Sequence, residues 1–401
     1  MRKILSAALL GCATMLAQAS NGQPQSVAIK VSAFGALTGP VKSFGINSRA
    51  ALQAAARRID EAGGVRLGDG SVGHFEITYA DDHCKPEDAI ALLRDAAASS
   101  AIAVIGPSCS SVAEPLYGKL QHKAGDGDDP GFQIPVFTDG ATKANLARIS
   151  EWAFRNAPNE TDMYTSLWQW VRAHHPQLQT VYGGEESDFA HSHSTWENII
   201  SKEAAASGLQ VLGSTGWSIN DVSFASQVQK IRAANADILV ISAHAQTTCG
   251  LLKQLAVGQV RPKLLVGLTS ASTPETLQLC GPDAEGLLIP TSFIATTAET
   301  RKEADAVAAA GGTADLHSMA AWEILYTLKN AIEQSHITPS PQTVASDRQR
   351  LRDALAHLQS MPGVMGTISR TADRESRKPF VLVRATHGKW EVVPSEPTRA
   401  R

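Results

Sequence analysis

Short runs of β-branched and apolar residues alternate with alanine-rich segments along almost the whole chain from Val27 onward. The run Ile238-Leu239-Val240-Ile241 is apolar on both faces, which is typical of a parallel strand covered by helices on each side. The first alanine-rich segment, residues 45–62, carries apolar residues at approximate helical spacing and stops at Gly63-Gly64. This alternation predicts an α/β fold with doubly wound parallel sheets.

The number of strand–helix units indicates two sheets. Runs predicted as strands are residues 27–31, 75–80, 101–105, 134–138, 180–183, 210–213, 237–242, 264–268 and 287–290. One open sheet of that width is unusual, and 401 residues are enough for more than one lobe. We expect the chain to change sheets near residues 156–160. Later elements are predicted as helices at 303–310, 317–333 and 347–358, then a strand pair near 366–369 and 380–385.

Composition excludes several classes of protein. Apolar residues make up 43% of the chain and charged residues 19%, with 36 Lys and Arg against 39 Asp and Glu. These values argue against a disordered chain and against a polycationic nucleic-acid binder. Aromatic residues are only 5%, so a base-stacking platform would have to be built from very few rings.

The first 19 residues have the pattern of a secretory signal peptide. A basic start, Met1-Arg2-Lys3, precedes an apolar run over residues 4–16 and the small-x-small sequence Ala17-Gln18-Ala19. The run is too short for a membrane-spanning helix. An alternative is a lipobox at residues 9–12, which would place a lipid anchor on Cys12. The mature chain is therefore expected outside the cytoplasm, with a frayed tail at residues 394–401.

Four cysteines remain after the signal peptide, in a compartment where disulfides persist. Proximity in the chain favours Cys84 with Cys109 and Cys249 with Cys280, among three possible pairings. The alternative is four buried thiols. A metal site is not predicted, because no CxxC is present and the spacings do not resemble a zinc site.

Familiar catalytic motifs are absent from the sequence. Residues 68–73 match GxGxxG, but they precede a predicted strand instead of following one, so we interpret them as a turn. Asp126, Asp128 and Asp129 lack the closing glutamate of an EF-hand and are interpreted as a solvated loop. HExxH, GxSxG and Walker A patterns do not occur, so no metal and no cofactor are predicted.

Polar loops follow three of the predicted strands, at residues 35–40, 106–111 and 138–142. Open α/β sheets bind their ligands at the carboxyl ends of strands. The loop 106–111 also opens a helix, so hydroxyl groups and free backbone N–H groups converge with the positive helix end. Ordinary helix capping is the alternative for any one hydroxyl. Their joint position favours a carboxylate-binding site.

The order of several motifs along the chain resembles one protein family. These motifs are residues 35–40, 59–64, 79–86, 105–111, 140–142, 154–156 and 283–286, and the helix with Ala321, Tyr326 and Ala331. They are similar to the type I periplasmic solute-binding proteins of ABC importers, in the leucine/isoleucine/valine-binding branch. The resemblance covers nearly the whole mature chain, and it depends on the order and spacing of the motifs together.

The resemblance implies two Rossmann-like lobes, joined by three crossings of the chain and closing on a ligand. The first lobe would comprise residues 27–157 and 291–360, and the second residues 158–290 and 361–393. The family disulfide would fall on Cys84 and Cys109.

Carried over residue by residue, the resemblance also implies a ligand set. The ligand carboxylate would meet Ser110 and Thr142, with backbone groups near Ser111 and Ala141 beside it. Phe189 would supply an aromatic contact from the second lobe.

Two positions depart from the amino-acid-binding members that the chain resembles. Their acidic residue for the ligand ammonium is replaced by Thr269, which has no full charge, so Asp188 and Glu160 are the candidate substitutes. A second aromatic contact is replaced by His244, which is a neutral partner, a cation, or a satisfied histidine at a strand end. We expect the ligand to be a small organic acid, either an unusual amino acid or an aromatic or keto acid.

The expected function is that of a periplasmic, non-enzymatic binding protein that delivers a small carboxylate to the permease and ATPase of an ABC importer, with no nucleic-acid partner. One alternative is a sensor that presents its closed form to a membrane receptor. Another is an enzyme with Cys109 or Ser110 as nucleophile and a histidine as base; a disulfide at Cys109 would remove its thiol.

Overall fold

A computed structural model describes residues 26–143 and 145–394. The predicted signal peptide, the lipobox and all but the first residue of the predicted tail lie outside this range. Within it, no helix combines the length and the apolar character needed to span a membrane.

The first sheet has six strands in the order β2-β3-β1-β4-β5-β6. Their bounds are β1 (Val27–Gly35), β2 (Val65–Arg66), β3 (Val72–Asp81), β4 (Ala103–Ile105), β5 (Val136–Thr138) and β6 (Ala153–Arg155). Neighbours are parallel except for β2 and β3, which the GxGxxG segment joins as the predicted turn. Helices α1 (Lys42–Glu61), α2 (Pro86–Ala98) and α3 (Ser110–Tyr117) lie between these strands in the chain.

The second sheet has seven strands in the order β16-β15-β11-β10-β9-β7-β8. Its strands are β7 (Thr180–Glu186), β8 (Gln210–Trp217), β9 (Ile238–Ser242), β10 (Leu264–Gly267), β11 (Leu287–Thr291), β15 (Val381–Thr386) and β16 (Lys389–Val392). The first five are parallel, and β15 and β16 are antiparallel additions. The associated helices are α4 (Glu160–His174), α5 (Ala190–Thr195), α6 (Ser201–Ala206), α7 (Ala225–Ala234), α8 (Ala245–Val257) and α9 (Pro274–Cys280).

The chain returns to the first sheet after β11. Helices α10 (Ala298–Ala309), α11 (Leu316–Gln334) and α12 (Val344–Ala356) contribute to the same hydrophobic core as β1 and α1. Buried alanines on α1, among them Ala51 and Ala55, allow close packing against α11. A small antiparallel sheet then forms from β12 (Met361–Gly363), β13 (Gly366–Arg370) and β14 (Ser376–Arg377).

A buried polar network joins the end of the first sheet to α11 and to the small sheet. Asn156 donates to Glu323 at 3.3 Å and accepts from Arg370 at 3.3 Å and Ser376 at 3.4 Å. Lys378 forms an ion pair with Glu323, and the two side chains are 2% and 4% exposed. This network ties the chain leaving β6 to the segment that leads into β15.

The predicted α/β class is confirmed, and each of the nine predicted strands is present with shifted ends. Five short strands, β2, β6, β12, β14 and β16, were not predicted. The late strand pair is a wrong prediction, because β13 pairs with β12 and β14, whereas β15 pairs with β11 and β16. The lobe boundaries stay a prediction: β15 and β16 extend the second sheet, but Arg370 and Ser376 bond to Asn156 beyond β6.

Both disulfides favoured by proximity are present. Cys84 is bonded to Cys109 with a Cα–Cα distance of 5.8 Å, and Cys249 to Cys280 with a distance of 4.6 Å. The first bond ties the end of β3 to the loop before α3, next to the predicted carboxylate site. It also removes the Cys109 thiol that the enzyme alternative would use as a nucleophile.

Candidate functional site

The two loops predicted to hold a carboxylate lie side by side. Ser110 is the first residue of α3, and its Oγ accepts from the backbone N–H of Lys143 at 3.3 Å. Thr142 precedes that residue, and both Ser110 and Thr142 are 2% exposed. The Thr142 Oγ1 has no hydrogen-bond partner among the described residues. Since a buried hydroxyl is normally paired, this one is available for a ligand oxygen.

Polar contacts fix the loop that carries Ala141 and Thr142. The Thr138 hydroxyl donates to the Pro107 carbonyl at 2.6 Å and accepts from the Ala141 N–H at 2.9 Å. The buried Arg155 donates to the Thr142 carbonyl at 2.7 Å through Nη1. Its Nε lies 2.5 Å from a Glu375 carboxylate oxygen. The loop is therefore held from both the first sheet and the segment 371–377.

Aromatic and imidazole rings connect the two large sheets. His244 follows β9 of the second sheet, and its ring centroid lies 4.6 Å from Phe189 and 5.5 Å from Phe44 of α1. Phe189 is half-buried and packs against the core cluster of the first sheet. The predicted aromatic position and the predicted histidine thus contact each other where the two sheets meet.

His244 is bonded to a buried carboxylate that the sequence analysis missed. Its Nδ1 lies 2.5 Å from Glu186 Oε2, and Glu186 is the last residue of β7. Thr247 and Ser192 donate to the same carboxylate at 2.6 and 2.7 Å. Burial alone would raise the pKa of Glu186, but the charge and hydrogen bond of His244 and the two hydroxyls outweigh it and lower the pKa to about 2.

This shift predicts a specific loss of stability in acid. The pKa of Glu186 falls from an ordinary value near 4.5 to about 2 on folding, so its contribution is fully present above pH 4.5 and is lost as the pH falls toward 2. Glu186→Gln is expected to lower the free energy of unfolding by about 2–3 kcal/mol near neutral pH, and by much less in strong acid. Urea unfolding at several pH values measures this difference. A cost that stays constant across the acid range would contradict the assignment.

Thr269 is hydrogen-bonded to Glu160, one of the two acids considered as replacements for the carboxylate missing at position 269. The Thr269 hydroxyl donates to Glu160, which also accepts from His191 at 3.0 Å and from Thr195 at 3.0 Å. Burial raises the pKa of Glu160, but the charge and hydrogen bond of His191, with the two threonine hydroxyls, lower it overall. The other candidate substitute, Asp188, is exposed and accepts from Ser218 and the Ile219 N–H.

A third histidine, also missed from sequence, borders the carboxylate loops. His317 lies at the start of α11, next to the cap residue Asp315, and is 1% exposed. Its ring centroid is 4.3 Å from Phe44, and its Cδ2 is 3.1 Å from where a Cβ on Gly140 would lie. Burial and then the charges of His191 and His244 lower the pKa of His317 to about 3, so the ring is neutral at physiological pH.

One cluster of side chains that can ligate a metal ion lies outside this region. Ligand atoms of Glu185, His193 and Glu197 lie within 4.8 Å of one another, and His193 and Glu197 are exposed. His193 is already bonded to Glu185 at 2.7 Å. This arrangement is that of a surface hydrogen-bonded group and carries no metal assignment.

The sequence contained a signal for Glu186 but not for His317. Glu186 ends a strand whose carboxyl end lies on the same sheet edge as that of β9, and the rule that selected the other loops selects it too. His317 begins a helix in a distant part of the chain, and only the packing of α11 against α1 brings it to the site.

Comparison with known proteins identifies relatives over most of the chain. A family described as periplasmic binding protein matches residues 28–389. The Leu/Ile/Val-binding protein of Citrobacter freundii is 24% identical over 264 residues, which cover 65% of this chain and 66% of that relative.

Solved structures share the fold at lower identity. The branched-chain amino acid transporter substrate binding protein of Streptococcus pneumoniae, in complex with isoleucine, superposes with a TM-score of 0.76 at 18% identity and covers 91% of this chain and 99% of that one. An ABC transporter solute binding protein of R. palustris, in complex with benzoate, gives 0.74 at 17% identity and covers 91% and 95%. The resemblance found in the sequence is confirmed, and the chain belongs to the periplasmic binding protein family.

Proposed function

We propose that this protein is the extracytoplasmic solute-binding component of an ABC importer and captures a small carboxylate between two lobes. The observation that carries the proposal is that Ser110, the first residue of α3, accepts from the Lys143 N–H, directly after Thr142, whose buried hydroxyl has no hydrogen-bond partner among the described residues. Hydroxyl donors, backbone N–H groups and a helix N-terminus together suit a carboxylate. Relatives described as binding branched-chain amino acids, and a similar structure with benzoate, support this ligand class.

The two large sheets supply the two lobes of the proposal. Phe44 from the first sheet's layer contacts His244 from the second, so a ligand in the cleft between them would touch both. Such a ligand favours the closed arrangement by its difference in affinity for the two states. We take the lobes as residues 27–157 with 291–360 and residues 158–290 with 361–393, joined by three crossings.

The remaining parts of the proposal concern export and partners. Residues 1–19 would direct the chain to the periplasm, with an acylated Cys12 as the alternative anchor. The partners would be the permease and ATPase of the importer. We assign no catalytic step, and the disulfide at Cys109 supports that choice.

Loss of either hydroxyl is expected to weaken binding without unfolding the protein. Ser110→Ala and Thr142→Ala should each raise the Kd of a bound carboxylate by roughly 10-fold or more, the cost of a hydrogen bond to a charged group. A thermal-shift screen with isoleucine, benzoate and keto acids identifies a ligand, and calorimetry measures its Kd.

Two control variants accompany this measurement. Thr142→Ser keeps a hydroxyl and should retain most of the affinity, and Ser346→Ala, at an exposed position of α12, should bind as the parent does. If both Ser110→Ala and Thr142→Ala bind as tightly as the parent, the carboxylate assignment is wrong.

A further inference from the structure

Three buried ring nitrogens near the cleft have no hydrogen-bond partner within the described part of the chain. They are Nε2 of His244 and both Nδ1 and Nε2 of His317. The two residues are 7% and 1% exposed. Because buried polar groups are normally satisfied, three unsatisfied nitrogens on two histidines indicate that a polar group of a ligand completes them.

These nitrogens belong to the same region as the carboxylate loops. Phe44 lies between the two histidines, with its ring centroid 5.5 Å from His244 and 4.3 Å from His317. His317 packs against Gly140, two residues before Thr142. The two histidines and the loop that carries Thr142 therefore border the same region between the two large sheets.

The carboxylates of Glu160 and Glu186, buried beside the cleft, already accept hydrogen bonds from several protein donors. Glu160 accepts from His191, Thr195 and Thr269, and Glu186 accepts from the backbone and side chain of His244 and from two hydroxyls. An ammonium group would have to displace one of these donors.

Asp139 and Glu275 also lie near the cleft, but neither provides a buried, free carboxylate for a ligand ammonium group. Asp139 accepts from Ser108 at 3.0 Å, and burial raises its pKa. Glu275 lies near His244 and Ser270 but is half-exposed at the start of α9, where water solvates its carboxylate. Asp315 lies 3.9 Å from the Nδ1 of His317 and already accepts from Asn47 and from the backbone N–H groups of His317 and Ser318. The cleft is thus rich in imidazole, and its buried carboxylates already have hydrogen-bond donors.

The free nitrogens suit an oxygen function. The Nδ1 of His244 faces a carboxylate, which only accepts, so Nδ1 carries a proton and Nε2 is the nitrogen left for a ligand. The neutral ring of His317 offers one donor and one acceptor. A hydroxyl, keto or carboxylate oxygen can accept from the His317 donor, and a hydroxyl can also donate to a ring nitrogen that accepts.

We propose that the ligand is a carboxylic acid without an amino group, and that His244 and His317 bind a second oxygen function on it. This inference rests on the proposed function, because it assumes that Ser110 and Thr142 hold the first carboxylate. It makes the two histidines specificity residues that select against amino acids.

Matched ligand pairs test the inference by calorimetry on the purified chain. The pairs are isoleucine with 3-methyl-2-oxopentanoate, glutamate with 2-oxoglutarate, and benzoate with 4-hydroxybenzoate. Among pairs with a measurable Kd, the member with the oxo or hydroxyl oxygen is expected to bind at least about 10-fold more tightly, the worth of a hydrogen bond to a charged or buried partner.

Variants assign that preference to the histidines. His317→Phe keeps a ring of similar size and should reduce the ratio of Kd values within a pair, whereas Thr142→Ala should weaken both members. His244→Phe is combined with Glu186→Gln so that no buried carboxylate is left unpaired, and thermal unfolding checks that each variant is folded.

The outcomes separate this inference from the proposed function. Tighter binding of the amino acid than of its partner in a pair overturns the present inference and leaves carboxylate capture intact. Loss of amino-acid binding in Glu160→Gln or Glu275→Gln has the same meaning, because it would show that a carboxylate binds the ammonium group. A preference for the oxo member that His317→Phe and the double variant leave unchanged also overturns the histidine assignment. If none of the six acids binds at concentrations up to the millimolar range, both proposals fail.

Discussion

Lys378→Met is expected to lower the free energy of unfolding by about 3–5 kcal/mol. The lysine is paired with Glu323 in the network beyond β6, where the two side chains are only 2% and 4% exposed. The variant removes the cation and leaves a buried carboxylate with Asn156 and the Val364 N–H as its remaining partners. An uncompensated buried charge is one of the most costly defects that a single substitution creates.

Urea unfolding followed by circular dichroism near neutral pH measures this loss. The double variant Lys378→Met with Glu323→Gln should recover much of the stability, because neither charge is then left alone. Lys263→Met is the matched control: Lys263 lies 2.7 Å from Asp237 but is 68% exposed, so its loss should cost about 0–1 kcal/mol. Equal costs for Lys378→Met and Lys263→Met would refute the buried-network interpretation.

Removing the second disulfide should have an effect of similar size. Cys249 and Cys280 are 31 positions apart and buried, and closing a loop of that length stabilises the fold by about 3–4 kcal/mol in the chain-entropy account. The double variant Cys249→Ala with Cys280→Ala should lose that amount in urea unfolding, because its unfolded chain regains the freedom of the loop.

A comparison with the Cys84–Cys109 bond gives the control. The double variant at Cys84 and Cys109 opens a loop of similar length, 25 positions, and should be destabilised comparably. Reductant should destabilise each of these variants further, since each keeps one bond, and should leave a variant lacking all four cysteines unchanged. An unaltered free energy of unfolding for the Cys249 and Cys280 variant would contradict the prediction.

The fold was largely predictable from the sequence because its signals are local. Apolar runs bounded by glycine, proline and polar residues marked each long strand, and alanine-rich periodicity marked α1 and α11. The strand Ala153–Arg155 escaped because it lies in no longer apolar run, whereas β4 and β5, which are equally short, lie in the runs recognised at 101–105 and 134–138. The late strands were mispaired because pairing partners are set by the completed sheets, and β15 joins β11 from a distance of about 90 positions.

The candidate site was predictable only in part. The strand-end rule selected the loops 106–111 and 138–142, the resemblance implied Ser110 and Thr142 within them, and the structure places the two loops side by side. The pair of Glu186 with His244 spans 58 positions and that of Glu160 with Thr269 spans 109, so no spacing in the sequence reveals them. The absence of an acid at Thr269 was visible from the resemblance, whereas the contact of His191 with Glu160 and the approach of His317 to Gly140 depend on how separate elements pack.

Arg155 holds the Thr142 carbonyl with one nitrogen and the Glu375 carboxylate with another. If the lobes separate to release a solute, a displacement of residues 371–377 would reach, through the Arg155 guanidinium, the loop that we propose holds its carboxylate. Binding and release of the solute would then both depend on the Arg155 side chain, and a substitution that strengthens binding would slow release.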